Sequence, residues 1–244
     1  MRPTTAIRLE HSAMISSNTR QLRFRSMEQG FSFRPGEFVS LILNDEQGEF
    51  RRSYSIATVT PTPESADTLE LVASHVEGGR ATRWLWQAEL GAEVQFAGPN
   101  GMLTLPEQLP KRLFLIATGT GVAPYRAMLL QIERALADGQ QQIHVLFGAR
   151  NRDEGIFADD FRALAQKLPN FHFHYCLSRE AAQAGDEFSG RVTQKLDNFA
   201  PDVNTDVVFL CGNPAMVDEV YDGLKTRGFG PKAVRREKYI FSRS

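Results

Sequence analysis

The sequence predicts two domains: an antiparallel β-barrel over residues 1–108 and a Rossmann-like α/β domain with a parallel sheet over residues 109–244. Three observations predict this. Short strand-like runs separated by turn residues fill the first half, which is the pattern of a small barrel. From Arg112 onward, apolar strands alternate with longer helical stretches, which implies a parallel sheet covered on both faces. Between the two rhythms lies the proline-bracketed linker Leu105-Pro106-Glu107-Gln108-Leu109-Pro110.

In the first half, residues 38–43, 53–59, 68–76 and 93–96 read as strands, enriched in β-branched and aromatic residues. Turn signals separate them: Arg34-Pro35-Gly36, Asp45-Glu46-Gln47-Gly48, Pro61-Thr62-Pro63 and Gly98-Pro99-Asn100-Gly101. One helix interrupts the pattern over residues 80–88. In the second half, strands are expected at 113–117, 143–147, 171–177 and 207–211, and helices at 124–137, 159–168, 191–199 and 215–227. Sheets of this type bind ligands beyond the carboxyl ends of their strands. Gly119 to Pro124, Gly148-Ala149-Arg150, Ser178-Arg179-Glu180 and Cys211 to Pro214 all fall at such ends.

Composition narrows the function. With a formal net charge of −1, the chain offers no general attraction to nucleic acid or membrane surfaces. No apolar run approaches the ~20 residues that span a bilayer. The N-terminus lacks a basic region followed by an apolar one, so a cytoplasmic location is expected. Cys176 and Cys211 are too few for the four thiolates of an iron–sulfur cluster. The histidines show no metal-ligand spacing, so no metal is expected.

Two sets of residues suggest nucleotide sites. In Arg52-Ser53-Tyr54-Ser55, read as opening a strand, an arginine can fork to a pyrophosphate, and a tyrosine on the same face offers a flat surface. Further on, Ser74-His75-Val76-Glu77-Gly78-Gly79-Arg80-Ala81-Thr82 runs from a strand through paired glycines into a helix, whose N-terminus presents free N–H groups to an anion. The second set is Gly119-Thr120-Gly121-Val122-Ala123-Pro124, a tight turn with small residues for close backbone approach and a proline at the helix start. It departs from the G-x-G-x-x-G fingerprint because Pro124 stands where the third glycine would be.

These motifs, in this order and across essentially the whole chain, resemble the ferredoxin–NADP reductase superfamily, including its bacterial ferredoxin/flavodoxin reductases. That family carries R-x-Y-S and a later G-x-x-S/T segment on its barrel, then G-T-G-x-A-P and C-G-x-P on its sheet. The resemblance implies that Arg52 binds FAD pyrophosphate, Tyr54 packs on the isoalloxazine and Ser55 lies near flavin N5, with Ser53 beside them. It further implies that Gly79, Arg80, Ala81 and Thr82 line the second phosphate segment and that Ser74, His75 and Val76 flank the ring. FAD rather than FMN rests on this resemblance.

For the pyridine nucleotide, the resemblance implies binding by Gly119, Thr120, Gly121, Cys211, Gly212 and Pro214, with Thr120 also facing FAD. A 2′-phosphate calls for arginine where NAD calls for an acid. The second strand of the sheet ends in Gly148-Ala149-Arg150-Asn151-Arg152, with no carboxylate at its tip. The family's S-R and G-R pairs are matched by Ser178, Arg179 and Arg191, so NADPH is favoured; Glu180 and Asp153 nearby leave NADH open. Cys211 is expected to wall the nicotinamide rather than act as a nucleophile. Near the C-terminus, Glu237 and Tyr239 match an E-x-Y spacing in which the acid handles protons and the aromatic covers the flavin. Phe241 is the alternative aromatic.

The implied activity is an FAD-dependent oxidoreductase that takes a hydride from NADPH and passes single electrons to a ferredoxin or flavodoxin on a separate chain. Ser55, Cys211, Glu237 and Tyr239 are expected to converge as the catalytic group, and the protein to be a monomer. Arg20, Arg23, Arg25 and Arg51 are a candidate docking patch for an acidic carrier. Two alternatives stand beside this: an NADH-dependent reductase component of an oxygenase, and a non-catalytic flavin-binding electron-transfer subunit.

Overall fold

The computed structural model describes residues 4–137 and 139–239. It divides into two compact units, one of residues 4–104 with 123–128, the other of residues 105–122 with 129–239.

The first unit is a curled, six-stranded antiparallel half-barrel in the order β4-β3-β6-β1-β2-β5. Its strands are β1 (Thr4–Met14), β2 (Thr19–Ser26), β3 (Phe38–Asp45), β4 (Gly48–Ser55), β5 (Thr68–Ser74) and β6 (Glu93–Asn100), with one helix, α1 (Arg80–Gln87). Alternation along the strands turns Ile7, Leu9, Leu22, Phe24, Leu41 and Phe96 inward, where each is essentially without exposed surface. β1 and β2 are additional to the strands expected from sequence.

Two expectations are corrected. Arg52-Ser53-Tyr54-Ser55 closes β4 instead of opening a strand: β4 begins at Gly48, directly after a two-residue turn that pairs Asp45 with Gly48. One face of β4 is turned to solvent and carries Glu49, Arg51 and Ser53, and such polar runs disguise a strand. Gly98 to Asn100, expected as a turn, lies within β6, with a cis bond between Gly98 and Pro99.

The second unit is a wholly parallel sheet in the order β10-β9-β8-β7-β11-β12. Its strands are β7 (Arg112–Thr118), β8 (Gln142–Ala149), β9 (Phe171–Leu177), β10 (Glu187–Ser189), β11 (Asp206–Gly212) and β12 (Val234–Lys238). The helices that follow β7 in the chain are α2 (Ala123–Ala127), which is counted with the first unit, and α3 (Leu129–Leu136); later come α4 (Ala158–Lys167), α5 (Val192–Asp197) and α6 (Pro214–Thr226). Leu113 to Ala117 have no exposed surface, as a central strand covered on both faces requires. The single helix expected over 124–137 is two: the Met128 N–H donates to the Tyr125 carbonyl three residues back, a tightened turn that splits it. β7 lies between β8 and β11, so the sheet reverses its strand order at the carboxyl ends of β7 and β11. Among the described residues no helix is long and apolar enough to cross a membrane.

Candidate functional site

In the first unit, pairing with β3 puts Phe50, Arg52 and Tyr54 on the face that carries Leu43, Leu41 and Val39. Tyr54 is half-buried against the core, and burial pushes its hydroxyl pKa upward. Arg52 is half-buried, its guanidinium 5.6 Å from the Phe50 ring and 2.8 Å from the Arg51 carbonyl. Ser53 and Ser55 point the other way; the Ser53 hydroxyl lies 3.0 Å from that of Ser40, and Ser55 is buried.

The segment leaving β5 is pinned by its own polar groups. The Ser74 hydroxyl is 3.4 Å from that of Thr19, and the His75 N–H donates to the Asn18 carbonyl. Val76 donates its N–H to the buried Thr82 hydroxyl at 3.1 Å and accepts from the Gly79 N–H. This loop delivers the chain into α1 at the N-cap Gly79, with no side-chain cap and no acidic residue in the first turn. The backbone N–H groups of Arg80, Ala81 and Thr82 therefore open an anion-favouring helix end. The Arg80 side chain is engaged elsewhere: it forks to Asp45, with Nε at 2.6 Å, and lies 4.1 Å over the Phe50 ring. What Arg80 offers an anion is its main chain. An arginine beside a flat tyrosine and a vacant-capped helix end together fit a flavin that carries a pyrophosphate.

In the second unit, Gly119 to Val122 form a 3-10 turn off the end of β7. The two glycines are required for different reasons. Gly119 has φ +55° with open space around it, so the need is conformational. At Gly121 the need is steric, because a Cβ would lie 2.6 Å from the Cys211 carbonyl carbon and 2.7 Å from Gly212 Cα. The turn thus packs backbone on backbone against the end of β11, a cradle that a side chain would fill. Asn213 caps α6 by accepting from the Ala215 N–H, with Pro214 in the first turn.

β11 and β12 pair in register so that Cys211 faces Glu237. Tyr239 follows β12; its N–H donates to the Gly212 carbonyl at 2.9 Å, and its hydroxyl reaches the Cys211 sulfur and the Thr120 carbonyl, the latter at 3.5 Å. Glu237 has one carboxylate oxygen buried with no hydrogen-bond partner among the described residues, and burial raises its pKa to about 7. Burial, with Glu237 alongside, lifts the Cys211 thiol well above its ordinary value, so it is not a thiolate. Cys176 is likewise buried and raised to about 12. Four expected residues, Thr120, Cys211, Glu237 and Tyr239, therefore meet. Ser55 belongs to the first unit, and Phe241 lies outside the described residues.

At the outer strand ends, Ser178 and Arg179 donate their N–H groups to the Ala149 and Arg150 carbonyls, which fastens the β9 tip to the β8 tip. Arg179 is exposed. Arg191 caps α5, with its N–H on the Gln194 side chain, and its guanidinium stands 4.0 Å from Glu219. Arg150 pairs with Glu154 at 2.8 Å. Arg152, Glu180 and Glu187 form a network that sequence reading missed, because β10, which carries Glu187, is only a three-residue strand.

The four arginines read as a docking patch are mostly committed within the first unit. Arg20 donates to the Leu85 and Trp86 carbonyls at the end of α1, and Arg25 pairs with Glu10 and Asp67. Arg51 stands 3.8 Å from Glu49, while Arg23 is exposed.

Comparison with known proteins agrees with this geometry. The family model described as an oxidoreductase FAD-binding domain matches residues 6–105, and the oxidoreductase NAD-binding domain matches residues 115–222. The ferredoxin--NADP reductase B of Sorangium cellulosum is 33% identical over 202 residues, covering 82% of this chain and 79% of that protein. The toluate 1,2-dioxygenase electron transfer component of Pseudomonas putida is 29% identical over 237 residues, covering 93% of this chain and 67% of that one. Among solved structures, the Amycolatopsis cytochrome P450 reductase GcoB superposes with a TM-score of 0.84 at 27% identity, covering 98% of this chain and 71% of that one.

Proposed function

Because the chain belongs to the ferredoxin reductase-like superfamily and is an oxidoreductase with FAD-binding and NAD-binding domains, we propose that it draws electrons from NADPH and passes them singly to a ferredoxin or flavodoxin on a separate chain. When bound, FAD supplies the conversion between two-electron and one-electron transfer. The chain's own residues bind, orient and exclude water. In this reading Arg52 and the first turn of α1 hold the pyrophosphate, and Tyr54 packs on the ring, with Ser55 next to it. Gly119 to Gly121 admit the nucleotide's phosphates against backbone. Cys211 gives the nicotinamide a small, uncharged wall, Tyr239 covers the flavin face that nicotinamide must take, and Glu237 holds a proton beside them.

The observation that carries the choice of NADPH is the charge at the carboxyl ends of β8 and β9. Arg179 is exposed there, while the neighbouring carboxylates Glu154 and Glu180 are each held by an arginine. A 2′-phosphate meets cations and no free acid, apart from the exposed Asp153. Steady-state kinetics with NADPH and NADH test this. A preference for NADPH that falls in Arg179→Ala is expected, and a preference for NADH that the same substitution leaves alone contradicts it.

A second reading is an NADH-dependent reductase component of an oxygenase. Similarity to the toluate dioxygenase electron transfer component and the exposed Asp153 favour it. The same kinetics separate the two. Both cysteines are free, which suits a reducing cytoplasm. With most of the basic barrel residues paired internally, Arg23 is the remaining candidate of that set for meeting an acidic carrier.

A further inference from the structure

Arg152 sits just beyond β8, and every nitrogen of its guanidinium is used. Nε and Nη2 fork to the two oxygens of Glu187 at 2.7 and 2.8 Å, Nη1 reaches Glu180 at 3.2 Å, and Nη2 also meets the Ala181 carbonyl at 3.2 Å. The Arg152 backbone N–H donates to the same Glu180 oxygen at 2.7 Å. Glu187 is the anchor. Its side chain is 2% exposed, and it also accepts from the Gln183 and Ala184 N–H groups. Those bonds, with Arg152 foremost, hold its pKa down at about 2.

Glu180 follows Arg179 directly at the end of β9. In dinucleotide-binding sheets an acid at the tip of the second strand takes the ribose 2′-hydroxyl and opposes a 2′-phosphate. Glu180 comes from beyond the third strand, but its bonds to Arg152 fasten it beside the tip of the second, β8. Here that acid is drawn back onto Arg152 by two hydrogen bonds, while Arg179 is left exposed beside it.

We propose that Arg152 is a positioning residue for nucleotide choice: by holding the Glu180 carboxylate back, it leaves Arg179 to meet a 2′-phosphate, so NADPH is taken over NADH. This rests on the NADPH reading above. Arg152 itself contacts no nucleotide in this account; it acts through Glu180.

The test is a set of variants measured with both nucleotides as FAD-loaded full-length enzyme. Replacing Arg152 alone strands the buried Glu187 charge, which risks the fold. The chosen variant is therefore Arg152→Gln with Glu187→Gln, which takes the guanidinium away from Glu180, leaves only the backbone N–H bond to hold it, and strands no charge. The NADPH/NADH ratio of kcat/KM is expected to fall by at least about tenfold, the change that about 1.4 kcal/mol produces. Adding Glu180→Gln is expected to restore most of the ratio, which a merely structural lesion would not do. Affinity for adenosine 2′,5′-bisphosphate should fall and recover in parallel, read by calorimetry without turnover. Arg152→Lys keeps a positive charge beside Glu187 but cannot fork to both carboxylates, and should lower the ratio in the same direction.

A wild-type preference for NADPH, lowered by Arg179→Ala but unmoved in the Arg152/Glu187 variant and in Arg152→Lys, overturns the inference alone. So does a fall that Glu180→Gln fails to reverse. A wild-type preference for NADH, untouched by Arg179→Ala, overturns the NADPH reading and the inference with it.

Discussion

Cys211 and Glu237 face one another in register across the parallel pair of β11 and β12, a thiol that stays protonated beside a carboxyl whose inner oxygen has no hydrogen-bond partner among the described residues. Burial is the first cause in both: it lifts the Cys211 thiol well above its ordinary value and raises Glu237 to about 7. A buried acid in this state is a proton holder poised near neutrality, which suits the role given to Glu237.

Its titration has a definite sign. The folded pKa of about 7 lies above the unfolded value of 4.5, so the native state binds the extra proton between them. Stability contributed relative to the ionised form is complete at low pH and is lost as pH rises through that window. Glu237→Gln should flatten the fall in melting temperature across it, and should shift or remove a kinetic ionisation near neutrality. An unchanged pH profile of both melting and rate would remove Glu237 from the account.

The two glycines of the nucleotide turn should respond unequally. Gly119→Ala meets only a left-handed backbone in open space and should cost about 1–2 kcal/mol. Gly121→Ala drives a methyl into the main chain at Cys211 and should cost at least as much as overpacking a tight core, about 3 kcal/mol or more. Thermal melts and nucleotide titration check the order; equal effects would mean that the backbone cradle yields.

Asp45 lies 35 residues before Arg80 in sequence yet ties the β3–β4 turn to this first residue of α1. Asp45→Ala should loosen that helix end and weaken FAD binding several-fold without altering any proposed FAD-contacting residue. The flavin retained after gel filtration reports it. Full retention would show that α1 holds its place without the ion pair.

On β8 and β9, His144 stacks on His172 with centroids 4.5 Å apart and approaches His174 with nitrogens at 3.4 Å. Phe114 and Phe199 pack on the His144 ring, and Lys195 and Arg112 add positive charge. Burial first, then these neighbours, lower His144 to about 3, and burial first lowers His174 to about 4. Because the folded values lie below 6.5, this stability is present above that pH and is lost as pH falls toward the folded values. Urea midpoints at pH 7 and pH 5 should diverge in the wild type and diverge less in His144→Phe. Equal divergence would assign acid sensitivity elsewhere.

The four inner strands of the second unit's sheet, β7, β8, β9 and β11, were legible because they are rich in apolar residues and their loops begin with glycine and proline chemistry, whereas the edge strands β10 and β12, short and largely polar, were not. Gly119 to Pro124 and Cys211 to Pro214 fell where local rules put them. The first unit was harder. β1 and β2 carry their alternation plainly, with Ile7 and Leu9 or Leu22 and Phe24 inward, but arginines and glutamates between them masked it. β4 was misplaced because a half-buried antiparallel strand need be apolar on one face only, and its other face is polar. Side-chain pairing was not legible at all. Nothing local tells that Arg80 belongs to Asp45, Arg20 to the end of α1, or Arg152 to Glu187, since tertiary packing alone brings them together.

The most direct test of the central claim is an anaerobic titration of the purified, FAD-loaded protein with NADPH, followed by absorbance. The flavin band is expected to bleach with about one equivalent, as a two-electron donor requires, and to return when about two equivalents of an oxidised one-electron acceptor, a ferredoxin or flavodoxin, are added. A protein that takes up no FAD, or whose flavin neither NADPH nor NADH bleaches, would contradict it.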